Sequence, residues 1–202
     1  LRGPSRRGVE NPGIGQIVLQ QHAGDALQRS AFRAAGALAS CNTAHLVALI
    51  EGDDTVKVVI LAADGRNFSA GHDIADTVED YQRKMQEISP RKSGWSGFQE
   101  PGAHGWYASE KEGYLESARR IRNFSKPTIC AVQGKCIAGA LIYAWVCDII
   151  IAAKNAVFSD PVVDFGVSGV EWLAHPWELV ARKAKGFLFA ADSWSAEEAW
   201  RL

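Results

Sequence analysis

Lys126 to Ile151 reads KPTICAVQGKCIAGALIYAWVCDIII: a short apolar strand, a glycine turn, and an apolar helix in immediate succession. Pro127 and the run Thr128-Ile129-Cys130-Ala131-Val132 predict a buried strand, ended by the Gln133-Gly134 turn signal. Ala138-Gly139-Ala140 then opens a helix with almost no side chain in its first turn. A helix start leaves backbone N–H groups without intrahelical acceptors and carries the positive end of the macrodipole, so small residues there let an oxygen approach bare amides. The same small residues would also serve a close helix–strand crossing, and this stretch alone does not separate the two.

Working outward, the chain has 202 residues, 47% of them hydrophobic and 22% charged, which suits one soluble domain with a large core. A net charge of −1 gives no electrostatic footprint for nucleic acid, and Arg119, Arg120 and Arg122 read as one helix face. The four cysteines, Cys41, Cys130, Cys136 and Cys147, form no CxxC pair, and three fall in segments that read as buried. They are expected to be reduced core residues of a cytoplasmic protein, with neither zinc nor disulfides. No apolar run reaches the length of a membrane span, and the first residues lack the apolar core of a signal peptide.

Residues 1–41 are expected to form a separate N-terminal segment with a flexible lead, LRGPSRRGVENPGIG. Gln16 to Gln20 suggests a short strand, and Asp25 to Leu38, rich in Ala and Leu, a helix capped near Gly24 or Asp25. Thr43 to Ile50 suits a helix ended by Gly52-Asp53-Asp54, and Val56 to Leu61 is a strong buried strand. After that strand come the turn Asp64-Gly65-Arg66-Asn67 and then Phe68-Ser69-Ala70-Gly71-His72-Asp73-Ile74. Small residues again surround a glycine at the end of a buried strand, and in α/β folds ligands sit in such carboxyl-end crevices.

FSAGHDI, followed by KPTICAVQGKCIAGALIYAWVCDIIIA and then AVFSDPVVDFGV, resembles the crotonase (enoyl-CoA hydratase/isomerase) superfamily in order and spacing. The resemblance covers residues 42–202, the expected acyl-CoA-binding core, and includes Ser195-Ala196-Glu197-Glu198-Ala199 at a later helix start. It implies an α/β fold, a spiral of repeated ββα/βαβ units, here stopping short of the family's terminal helices. It further implies an enzyme of the lyase or isomerase kind, of the type found in fatty acid metabolism, assembled as a homotrimer or dimer of trimers. Its partner would be an acyl-CoA substrate, with coenzyme A entering as part of that substrate and no cofactor bound covalently. Carried over by motif position, the amides of His72 and Gly139 would hold the thioester oxygen as it becomes an enolate. The backbone of Ala70, Gly71, His72, Asp73 and Ile74 would line the adenine site. Preorganised amides stabilise a developing enolate oxygen without reorganising, so the amide of His72 is the expected group, with its imidazole a secondary acid/base candidate.

The departures from the family bear on mechanism. Its hydratases add water with two glutamates, at positions that here read Ile142 and Val162, and neither side chain can move a proton. Glu171 is then the first-choice acid or base and Asp160 the second, with His175 a third candidate. Each has a plainer reading: a solvated loop charge for Glu171, a cap or turn before Pro161 for Asp160, and packing for His175. Ala75 to Gly113 reads as a long polar loop with scattered aromatics that would cover the acyl pocket, Glu112 to Asn123 as a helix, and Pro176 to Phe189 as another. Arg182, Lys183 and Lys185 lie on the exposed side of that last helix, where they would meet solvent or CoA phosphates. An enzyme of enolate chemistry and a non-catalytic acyl-CoA-binding or interaction protein both fit this pattern.

Overall fold

The structure is a computed structural model and describes residues 16–23, 26–33, 50–71, 102–166 and 172–202. Its strands are β1 (Gln16–Ala23), β2 (Ala26–Arg33), β3 (Val56–Ala62), β4 (Thr128–Val132), β5 (Lys135–Ile137), β6 (Ile149–Ala152), β7 (Val157–Ser159) and β8 (Ser193–Ser195). The helices are α1 (Gly102–Glu110), α2 (Ser117–Arg122), α3 (Gly139–Trp145), α4 (His175–Glu178), α5 (Ala181–Ala190) and α6 (Ala196–Trp200), with a π-helical stretch (Lys111–Glu116) joining α1 to α2.

Two sheets alternate along the chain. The first has the order β2-β1-β3-β4-β6 and the second β5-β7-β8. From β3 onward the chain climbs in parallel steps: β3 pairs with β4, and β4 with β6, in the first sheet. In the second sheet Ser69 bridges Cys136 of β5 and β5 pairs with β7, again in parallel. Each turn therefore lays one strand in each sheet before moving on, which is the spiral of ββα/βαβ units. Mixed sheets with parallel crossovers need apolar cover, and α3 provides it: every residue from Gly139 to Trp145 is buried. Around it gather Phe68, Cys130, Val132, Cys136, Phe158 and Trp194. Trp194 sits at the far end of this core, stacked on Trp145 and Phe158 and tilted against Phe187.

Several expectations change. Asp25 to Leu38 is not a helix where it is described, because Ala26–Arg33 pairs antiparallel with β1, Ala23 facing Ala26. Helix propensity is a weak prior, and strand pairing overrides it here. The polar segment from Ala75 becomes helical at Gly102, so its last part is α1 and the start of the π-helical stretch. The helix read from Pro176 to Phe189 is two helices, broken at Val180, which takes φ +54°. The flexible lead at residues 1–15, the helix at 43–49, Cys41 and the stretch 75–101 lie outside the described residues. Among the described residues no helix is long and apolar enough to cross a membrane.

Candidate active site

The site is built where the two glycine turns meet. β3 runs out through Ala63 to the loop that carries Phe68-Ser69-Ala70-Gly71, and β4 runs out to Gln133-Gly134. Side chain and backbone stitch these exits together: Gln133 Nε2 donates to the carbonyl of Ala63 at 2.8 Å, and the amide of Lys135 donates to Asn67 Oδ1 at 3.0 Å. The amide of Ser69 donates to the carbonyl of Lys135 and the amide of Ile137 to the carbonyl of Ser69, each at 3.0 Å.

Gly71 is thereby pressed against the start of α3. It has φ +88°, and a β-carbon placed on it would lie 2.6 Å from the carbonyl oxygen of Ile137 and 3.1 Å from the nitrogen of Gly139. No real β-carbon tolerates the first distance, so glycine is required both for the backbone angle and for the close approach. Ala138, immediately before Gly139, holds φ +49° and ψ −119°, a region that L-residues avoid. It is kept there by its amide donating to the carbonyl of Ser159 at 2.9 Å and its carbonyl accepting from Leu141 N at 2.8 Å. As the first residue of α3, Gly139 has an amide with no intrahelical acceptor.

Of the residues proposed to bind or react, Ala70, Gly71, Gly139 and Asp160 are described, while His72, Asp73, Ile74 and Glu171 lie outside the described residues. Gly71 and Gly139 come together; Ile142 is 3% exposed, inside the core, and the half-buried Val162 opens the turn that follows Pro161. Asp160 is neither a cap nor a solvated turn residue. Its Oδ2 lies 2.7 Å from Nε2 of His175, and both residues are 3% exposed. The imidazole meets Trp145 edge-on, with ring centroids 4.6 Å apart. Each is visible in the sequence as a chemistry-bearing residue, but their pairing is not, since they stand fifteen positions apart.

Beside this pair, Leu115, Arg122, Trp145, Trp172, Trp177 and Glu178 wall a cleft of about 420 Å³. Glu178 is on the exposed side of the cleft, yet partial burial of its carboxyl pushes its pKa up while Arg122 pulls it down. The thiols of Cys130, Cys136 and Cys147 are free and buried. The hydrogen bond with Cys147, and then burial, push Cys130 up, and burial alone pushes Cys136 up, so neither offers a thiolate nucleophile. Of the basic residues on α5, Lys183 places its ammonium 5.0 Å from the ring of Phe187.

A profile of the enoyl-CoA hydratase/isomerase family matches residues 96–202. The chain belongs to that family. Its α/β spiral is that of the family's solved structures: a probable enoyl-CoA hydratase from Mycobacterium smegmatis superposes with a TM-score of 0.61 at 40% identity, over 79% of this chain and 57% of that one. "Putative enoyl-CoA hydratase EchA13" of Mycobacterium tuberculosis is 39% identical over 160 residues, 76% of this chain and 49% of the relative. A short-chain-enoyl-CoA hydratase of Clostridium acetobutylicum is 32% identical over 164 residues, 78% of this chain and 53% of the relative. The chain thus spans about half the length of the curated relatives it matches.

Proposed function

We propose that the chain acts on an acyl-CoA thioester through an enolate whose oxygen is held by the amides of His72 and Gly139, with the adenine against the backbone of Ala70 to Ile74. The observation that carries this reading is the contact of Gly71 with Ile137 and Gly139, which sets the residue before His72 against the first amide of α3. Two amides converging on one oxygen act where negative charge develops, and removing one such donor typically costs about 2.7–4 kcal/mol of barrier. The acid or base is a group other than the side chains at 142 and 162, and Glu171 and Asp160 are the carboxylates nearest in sequence. The relatives named as hydratases support chemistry of this class.

The chain would assemble as a homotrimer or dimer of trimers and work in the cytoplasm. Ile149, Ile150 and Ile151 on the edge strand β6, with Phe189 and Trp200, expose the apolar area that association would cover, and three buried free thiols suit a reducing compartment.

Ile142 and Val162 favour a second reading, a protein that binds acyl-CoA without turning it over. Incubation with a panel of acyl-CoAs followed by mass analysis of the products separates the two. A changed acyl group supports the enzyme; calorimetric binding with every ester recovered intact supports the binding protein. Folded protein that binds no CoA ester refutes both.

A further inference from the structure

Asp160 and His175 each keep a buried polar atom, Oδ1 and Nδ1, with no hydrogen-bond partner among the described residues, although their other polar atoms meet at 2.7 Å. A buried polar atom left unpaired is costly, and apolar replacements of a buried polar pair are often neutral or stabilising. Stability alone therefore does not account for the pair. Its location does suggest a role. Asp160 follows Ser159 directly, and the Ser159 carbonyl is the acceptor that holds Ala138, the residue before Gly139, at 2.9 Å. The carboxylate is thus carried on the same junction that carries the amide of Gly139, and from the strand, β7, that packs beside β5.

We propose that Asp160 is the base that forms the enolate and that His175 is its positioning residue; the assignment rests on the acyl-CoA reading above. Nε2–H of His175 donates to Oδ2, fixing the carboxylate plane and leaving Oδ1 as the proton acceptor. Oδ1 takes a proton from the α-carbon of the acyl group. The C–H electron pair becomes the bond between the α-carbon and the thioester carbon, and the carbonyl π pair moves onto the thioester oxygen held by the two amides. Reversal returns a proton from Asp160 to the α-carbon. The imidazole does not touch the substrate.

Butyryl-CoA in D2O tests this without requiring the full reaction to be known, because enolate formation exchanges its α-protons for deuterium, read by proton NMR. The unaltered protein is expected to bind butyryl-CoA and exchange its α-protons. Asp160→Asn should fold, bind within twofold of the unaltered protein and exchange about 10²–10⁴-fold more slowly. His175→Phe removes the N–H that orients the carboxylate, and misplacement of a reacting group by about 1 Å costs about 10²-fold. His175→Gln supplies an N–H at a similar reach and should recover most of that loss. A merely structural histidine would change the unfolding midpoint and leave exchange by the folded, ester-saturated protein unaltered. Should the Phe variant not fold, the ¹⁵N resonances of His175 in the unaltered protein serve instead: saturation with butyryl-CoA is expected to shift Nε2, and no shift overturns the assignment. Failure of the unaltered protein to bind butyryl-CoA sinks the acyl-CoA reading itself. Binding without exchange, exchange that survives Asp160→Asn, or equally slow exchange in both folded His175 variants overturns the dyad while leaving acyl-CoA binding standing.

Discussion

Replacing Gly71 with alanine tests whether the close approach of the two turns organises the site. The new β-carbon would sit 2.6 Å from the carbonyl oxygen of Ile137, 3.1 Å from the nitrogen of Gly139 and 3.3 Å from the β-carbon of Ala138. Two of these neighbours are backbone and the third is on the strained residue, so none yields as the end of a flexible side chain would. Holding alanine at φ +88° costs about 1–3 kcal/mol, and forcing an extra carbon into a packed junction a further 1–3 kcal/mol, roughly. The reduced entropy of the unfolded chain returns about 0.4–1 kcal/mol. The net loss, about 1–6 kcal/mol, is a large part of the roughly 5–15 kcal/mol that holds an ordinary domain together. Gly65→Ala is the control, because Gly65 has a similar φ of +94° and nothing within 4 Å of its added carbon. It should lose only the strain term, about 1–3 kcal/mol before the same entropic offset. Urea unfolding followed by tryptophan fluorescence measures both; with m near 2–3 kcal/mol per molar, Gly71→Ala should lower the midpoint by roughly 1–2 M. Calorimetry with butyryl-CoA should show weakened binding by folded Gly71→Ala and unchanged binding by Gly65→Ala. Equal midpoints and equal binding in the two variants would refute the claim that contact with Ile137 and Gly139, rather than backbone strain alone, makes glycine necessary.

Crotonyl-CoA hydration should be slow relative to a two-glutamate hydratase, and Glu171→Gln or Asp160→Asn should lower what remains; fast turnover that survives both, followed by absorbance at the enoyl thioester band, would contradict the acid/base assignment. Trp194→Ala empties the space between Trp145, Phe158 and Phe187 and should cost about 3–5 kcal/mol in urea unfolding. Asp148 accepts from the amide and hydroxyl of Thr128, each at 2.8 Å, and the amide bond first, then the hydroxyl bond, hold its carboxyl below the ordinary carboxylate range. A lowered folded pKa stabilises above the unfolded value and loses that contribution as pH falls through the folded value, so Asp148→Asn should cost about 1 kcal/mol at neutral pH, exposure having trimmed the interaction. The difference between the two proteins should close in acid, and a constant gap across the pH range would show that the charge is irrelevant.

What could be read from sequence was local and strongly patterned. β3 and β4 announce themselves as β-branched runs between turn residues, and α3 as an unbroken apolar run, buried on every side. At the later helix start implied by the resemblance, Ser195 and Glu198 form a reciprocal cap, with Glu198 N donating to Ser195 Oγ at 3.2 Å and Ser195 N to Glu198 Oε2 at 2.9 Å. The failures have different causes. Ala26–Arg33 has helix-forming residues, and only its pairing with β1 makes it a strand. Val180 interrupts what periodicity presents as one helix, since a β-branched residue gives no local signal that it will take a positive φ. α1, GAHGWYASE, contains two glycines and little amphipathic contrast, so its helix is hidden inside a segment that looks like a loop. Asp160 and His175 are each visible as chemistry-bearing residues, yet their union depends on how the chain returns after Gly166.

The strained backbone at Ala138 explains how one half of such a site persists while the other changes. An alanine at φ +49° and ψ −119° lies about 1–3 kcal/mol above relaxed backbone. It is held by the Ser159 carbonyl on its amide, the Leu141 amide on its carbonyl, and Gly71 packed against its β-carbon. None of these contacts uses the side chain of residue 142 or 162. The direction of the Gly139 amide is therefore a property of the spiral itself, fixed by strand pairing and by the absence of a β-carbon at Gly71. The side chains at 142 and 162 can therefore vary without turning that amide away. If Asp160 is the base proposed above, its carboxylate enters on the same Ser159 peptide that restrains Ala138 and would share that junction's alignment with the amide. On that proposal the two are separable by mutation in one direction only: altering Asp160 would leave the turn standing, whereas altering Gly71 would displace both.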